Sequence, residues 1–282
     1  MPICDVCFRH CKIEEYSTGV CGARTCRNGQ IVAENYGKLT SVALDPIEKK
    51  PLKMFHPGAS ILSVGSYGCN LRCPFCQNHS ISWSQKAFEY KNRADCYSPE
   101  EIVKTSLSLR ARGNIGIAFT YNEPLIGYEF VRDTAKLSKE AGMENVLVTN
   151  GTATKNVLEQ ITPYIDAMNI DLKAFTERFY KDLLDGDFQM VKDFIEGTVQ
   201  SCHVELTTLI IPGENDSDEE MRKLSAWAAG LENQYRKKIP LHITRFFPMF
   251  KMTDKEPTPV NTVMKLVEIA KENLEFVFPG NV

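Results

Sequence analysis

The run Gly68-Cys69-Asn70-Leu71-Arg72-Cys73-Pro74-Phe75-Cys76-Gln77-Asn78 decides how this chain reads. Its three cysteines are separated by three residues and then by two. Three thiolates on one short loop can hold three corners of a cubane 4Fe–4S cluster and leave the fourth iron without a nearby protein ligand. An iron with an open position can bind and reduce a small molecule, whereas a cluster with four cysteine ligands mainly carries electrons or holds structure. The ordinary alternative is a zinc loop, or three unrelated buried thiols. Zinc sites pair their cysteines in two separate knuckles, and no second knuckle follows closely here.

Outward from this loop the chain alternates regularly. Strands are predicted at 59–64, 115–120, 145–149, 167–170, 204–211, 241–244 and, last, 276–278. Helices are predicted between them: 99–112, 124–141, 154–161, helical stretches to about 200, 217–229 stopped at Gly230, and 259–273. Ser98-Pro99-Glu100-Glu101 reads as a helix start, with a serine cap, an early proline and acids near the positive end of the dipole. Strands alternating with helices of this length predict βαβ units and a parallel sheet, either an open sheet or an incomplete barrel, with the chemistry at the C-terminal strand ends. Residues 1–56 read as a cysteine-rich head with short strands, and 57–282 as the α/β unit.

Each strand end carries a polar string. Thr120-Tyr121-Asn122-Glu123-Pro124 follows the second strand, Thr149-Asn150-Gly151 the third, and Asn169-Ile170-Asp171-Leu172-Lys173 the fourth. Ile211-Pro212-Gly213-Glu214-Asn215-Asp216 follows the fifth, and Leu241-His242-Ile243-Thr244-Arg245-Phe246-Phe247-Pro248 spans the sixth. Taken singly, each has a bland reading: a capped helix start, an Asn-Gly turn, a surface ion pair, a loop, a core histidine.

The Cys-x3-Cys-x2-Cys loop, with Phe75 before its last cysteine, resembles the signature of the radical S-adenosylmethionine (SAM) superfamily. The order of the later strings resembles its pyruvate formate-lyase activating-enzyme-like branch, and within it most closely the AmmeMemoRadiSam subfamily. The resemblance implies a partial (β/α)6 TIM-like barrel with a 4Fe–4S cluster on Cys69, Cys73 and Cys76. It also implies an oxidoreductase that cleaves SAM reductively to a 5′-deoxyadenosyl radical, which abstracts hydrogen from a substrate. The implied cofactor-binding residues are Phe75, Asn122, Glu123, Thr149, Asn150, Asp171, Lys173, Pro212, Gly213 and His242. Glu123 would accept from the SAM amine, Lys173 would pair with the methionine carboxylate, Asp171 with a ribose hydroxyl or a monovalent cation, and Gly213 would admit the adenine. His242 is taken as a substrate-side residue. The implied partners are an electron donor such as flavodoxin or ferredoxin and either a glycyl radical protein or a small-molecule substrate. Modification of another macromolecule, or a non-enzymatic metal-binding module, are the competing readings. The chain departs from the subfamily at Phe246-Phe247-Pro248-Met249-Phe250, where Phe-His-Pro-Asp-Tyr is usual, and a Cys-x2-Cys commonly follows the Gly-Asn-Val that here reads Gly280-Asn281-Val282.

The head needs a staple, because so short a segment cannot build a core. Cys4, Cys7, Cys11 and Cys21 supply four thiolates, suited to a second 4Fe–4S cluster or to tetrahedral zinc, with Cys26 a candidate to replace Cys11. Cys96 and Cys202 stand alone and read as small core residues. Net charge is −3, so nothing in the balance asks for nucleic acid. The first residues have no apolar core, and no apolar run is long enough for a bilayer. The expectation is a cytoplasmic protein with reduced thiols in an anaerobic setting.

Overall fold

The computed structural model describes residues 1–282. The head opens with a hairpin of β1 (Arg24–Arg27) and β2 (Gln30–Ala33), turned by Asn28 and Gly29, both at positive φ. Asn-Gly is the pair that such a two-residue turn favours. β3 (Lys38–Leu39) and β4 (Ser41–Pro46) follow. The barrel begins with β5 (Ser60–Gly65), and short helices α1 (His79–Ser82) and α2 (Gln85–Glu89) come after the cysteine loop. β6 (Asp95–Cys96) pairs with β3 outside the main sheet.

Regular units follow: α3 (Pro99–Ser108), β7 (Asn114–Phe119), α4 (Tyr128–Glu140), β8 (Glu144–Thr149), α5 (Lys155–Ile161) and β9 (Ala167–Asp171). They continue with α6 (Phe188–Val199), β10 (His203–Ile210), α7 (Asp218–Tyr235), β11 (Leu241–Arg245), α8 (Val260–Lys271) and β12 (Val277–Gly280). One sheet runs β12-β11-β10-β9-β8-β7-β5-β4, parallel throughout except for the antiparallel edge strand β4. Six strand–helix units followed by the edge strand β12 make the partial (β/α)6 barrel.

Two expectations need correction here. The division at residue 56 does not separate two units, because β4 belongs to the barrel sheet. And α7 does not stop at Gly230 but runs on to Tyr235, with Arg236 at φ +53 as its left-handed cap. Glycine costs a helix about 1 kcal/mol, and burying Leu231, at 4% exposure, returns about 1.5–3 kcal/mol. The predicted start of α3 is present in full: Ser98 accepts from the Glu101 amide, and Glu101 reaches back to the Ser98 amide.

Strand side chains divide between the helix layer and the barrel interior. Leu62, Ile117, Leu147, Met168 and Leu206 belong to the large core beneath the helices. Their neighbours Ile61, Ala118, Val146 and Ala167 face inward and pack on Ile47 and Leu52 from the β4–β5 connection. That connection plugs the barrel floor. Asn169 donates to the Pro51 carbonyl at 2.9 Å, and the amides of Lys53 and Met54 donate to Glu205 at 3.0 and 2.7 Å.

Candidate active site

The loop from Ser66 to Asn78 leaves the C-terminal end of β5 and carries Cys69, Cys73 and Cys76. Burial raises the pKa of all three thiols, with Cys69 held well above the usual range and Cys73 pushed up to about 12. Glu123 and the neighbouring thiols raise Cys69 further. Three desolvated sulfurs crowded together ionise readily only against a bound cation, so this donor set fits an iron–sulfur cluster.

Side chains absent from the implied set build the loop. Arg72 donates to the carbonyls of Cys69 and Leu71 at 2.9 and 2.8 Å and to that of Val20. Asn70 donates to the carbonyl and hydroxyl of Thr152 at 3.1 and 2.8 Å and accepts from Asn150 Nδ2 at 2.9 Å. Trp83 Nε1 donates to the Cys73 carbonyl at 3.2 Å. Gly68 sits at φ +94, and a Cβ there would lie 2.6 Å from the Cys21 carbonyl oxygen. We expect Gly68→Ala to displace the loop at a strain cost of about 1–3 kcal/mol. Iron content after anaerobic reconstitution checks this, and it should fall.

Phe75 is buried at 5% exposure against Phe179, with ring centroids 6.4 Å apart, so its side chain supports the loop from the core. Asn122 accepts from the Ser66 amide at 2.9 Å and donates to the Gly68 carbonyl at 3.1 Å. Glu123, at 3% exposure, accepts from the Leu125 amide, the Thr149 hydroxyl and the Asn150 amide at 3.0, 2.8 and 2.8 Å. Burial raises its pKa to about 7 despite those bonds. Asn122 and Glu123 thus act as positioning residues: they tie the ends of β5, β7 and β8 together. Asn150 points its amide at Cys69 Sγ, 3.8 Å away.

Lys173 and Asp171 form a 2.8 Å ion pair beside Cys73. Burial opposes the Lys173 charge, but Asp171 and Cys73 outweigh it and hold the pKa above the ordinary value. Their side chains remain 16% and 33% exposed, open to a ligand at the mouth. Gly213 has φ +76 and donates to Asp216 at 3.1 Å, and the Pro212 carbonyl accepts from Lys255 at 2.9 Å. Asn215, buried at 3%, joins this loop to the β9 end: it accepts from the Ile211 amide and donates to the carbonyls of Lys173 and Leu209.

His242 is elsewhere. It is the second residue of β11, at the barrel floor, and pairs with Glu205 at 2.6 Å. It is 4% exposed, so the expected place at the mouth is corrected: the side chain serves the floor.

In the head, Cys4, Cys7, Cys11 and Cys21 line one small cavity with Arg9, Arg24, Ile13 and Ile126. Cys26 turns away and donates to Glu15 at 3.3 Å, a carboxylate that also takes the amides of Asn28 and Gly29. The substitution of Cys26 for Cys11 is therefore corrected. Cys202 is buried as expected, whereas Cys96 lies exposed on β6.

The family model of the radical SAM superfamily matches residues 63–225. The uncharacterized protein MJ0808 of Methanocaldococcus jannaschii is 37% identical over 289 residues, covering 99% of this chain and 81% of that protein. The pyruvate formate-lyase-activating enzyme of Clostridium pasteurianum is 27% identical over 219 residues, covering 74% and 89%. Streptococcus suis SuiB bound to S-adenosylmethionine shares the fold, with a TM-score of 0.57 at 12% identity over 77% of this chain and 48% of that one. A domain of a pyruvate-formate lyase-activating enzyme from Bacteroides vulgatus gives 0.52 at 16% identity over 59% and 99%. No helix is long and apolar enough to cross a membrane. With its three-cysteine loop at the mouth of a partial barrel, the chain belongs to the radical SAM superfamily.

Proposed function

We propose that this enzyme uses SAM cleavage at the Cys69–Cys76 loop to place a radical on a glycyl radical protein. The observation that carries the reading is the convergence of the buried Cys73, the half-buried Cys69 and Cys76, Asn150 and the Asp171–Lys173 pair on one mouth. When bound, the cluster supplies one electron to the sulfonium of SAM, and the carbon–sulfur bond breaks to methionine and a 5′-deoxyadenosyl radical.

The protein's own part is holding and orienting. Cys69, Cys73 and Cys76 would hold the cluster. Lys173, kept charged by Asp171, would take the methionine carboxylate, and Asp171 a ribose hydroxyl. Backbone carbonyls of residues 120–123, fixed by Asn122 and Glu123, are the acceptors for the amine. Pro212 and Gly213 would cover the adenine. The activating-enzyme relatives support a protein substrate, and a low-potential carrier such as flavodoxin or ferredoxin would supply the electron. The head would bind a second cluster or zinc through Cys4, Cys7, Cys11 and Cys21.

One observation favours a second reading, modification of another substrate. Phe250 stacks on His79 at 4.3 Å and meets Trp83 edge-on, while Phe247 and Met249 stand 40% and 37% exposed on the same loop. This apolar shelf lies over the cysteine loop, since the Lys251 amide donates to the Pro74 carbonyl at 2.9 Å. Electron paramagnetic resonance after anaerobic turnover separates the readings. A glycine-centred doublet on a partner protein is expected, and deuterium passing from a labelled small molecule into 5′-deoxyadenosine without such a doublet would replace it.

A further inference from the structure

The cysteine head and the radical SAM loop touch through their ligand residues. The Cys69 amide donates to the Cys21 carbonyl at 3.1 Å. Arg9 donates to the Asn70 carbonyl at 2.6 Å, and Arg72 spans the carbonyls of Cys69 and Val20. Sulfur to sulfur, the path from Cys21 to Cys69 crosses two residues and one hydrogen bond. A purely structural staple has no need of this contact.

Cys4, Cys7, Cys11 and Cys21 form one set around one cavity. The rim is open at Cys11, which is half-buried. Around it Ile3 (bridged to Lys12) and Val20 (next to Gly19, itself close to Cys11 Sγ) are 55% and 44% exposed. A small apolar spot beside a lysine suits the brief encounter of an acidic electron carrier.

We infer that the head holds a second iron–sulfur cluster and relays the electron from an external carrier to the radical SAM cluster through Cys21 and Cys69. The inference rests on the proposed function. One electron leaves a low-potential one-electron donor, occupies the head centre, crosses to the Cys69 loop and ends on the sulfonium. The donor is oxidised by one electron, the sulfonium is reduced by one, and no proton moves.

The full chain, purified and reconstituted anaerobically, is the test material. About eight irons per chain and no stoichiometric zinc are expected, with two magnetically interacting signals in the reduced protein. In Cys7→Ser one signal should vanish and the other lose its interaction broadening. The ratio of SAM cleavage driven by reduced flavodoxin to that driven by titanium(III) citrate should fall about tenfold or more, about 1.4 kcal/mol in barrier. Stoichiometric zinc in the head, or an unchanged ratio in Cys7→Ser, overturns the relay. A wild-type chain with four irons at the Cys69 loop that cleaves SAM while carrying zinc in its head overturns it too, and leaves the proposed function standing. Should Cys7→Ser fail to fold, the iron count and spectrum of the wild-type chain decide.

Discussion

Cys69→Ala is expected to abolish formation of 5′-deoxyadenosine from SAM in the reduced protein. A loop that offers three thiolates leaves one iron free, and losing a thiolate removes a ligand the cluster cannot replace from nearby. Cys69 also sits where three supports meet: its amide is held by Cys21, its carbonyl by Arg72, and its sulfur lies 3.8 Å from Asn150. The loss should exceed about 10³-fold, or about 4 kcal/mol in barrier. Liquid chromatography of 5′-deoxyadenosine after anaerobic incubation with titanium(III) citrate measures it, with circular dichroism reporting whether the barrel persists. Cleavage at the wild-type rate by this variant would end the radical SAM reading of the site.

Glu205→Ala should cost the fold about 3–5 kcal/mol, the range for stripping one partner from a buried charged network, and lower Tm by roughly 10 °C. The side chain is fully buried and satisfies His203, His242 and the amides of Lys53 and Met54. Burial alone would raise its pKa; the hydrogen bonds from the two histidines and the two amides outweigh this and hold it down to about 2. A folded-state value depressed from 4.5 contributes stability above about pH 4.5, lost as pH falls toward 2. A shift of this size is on the order of 3 kcal/mol. Urea titrations at pH 6, 4 and 3 should therefore show a decline in the wild type that Glu205→Gln flattens. An equal acid sensitivity in both would show that the stabilisation comes from elsewhere.

The cysteine loop was legible because its chemistry demands one residue type at one spacing. The strand–helix rhythm was legible because Ala59–Val64 and its successors are short apolar runs bounded by caps and turns. What escaped were contacts between distant residues. Nothing in Leu241-His242-Ile243 says which end of the barrel the histidine meets, and its partner Glu205 lies 37 residues earlier. Asn70 and Arg72 fill variable positions of the cysteine signature, so their ties to Thr152 and Val20 appear only in three dimensions. Cys26 looked like a ligand by count and is claimed instead by Glu15. Asn215 stood in a string already noted, but its bridge to Lys173 depends on two neighbouring strand ends.

An unclosed sheet has no ring of hydrogen bonds to set its girth. Here the chain between β4 and β5 reaches under the sheet from one edge and fastens to β9 and β10 through Asn169 and Glu205, like a tie-rod across an arch. The strands that carry the opening above are thus braced from the opposite end of the molecule. Substitutions at residues 51–54 can alter how a guest is gripped without ever meeting it.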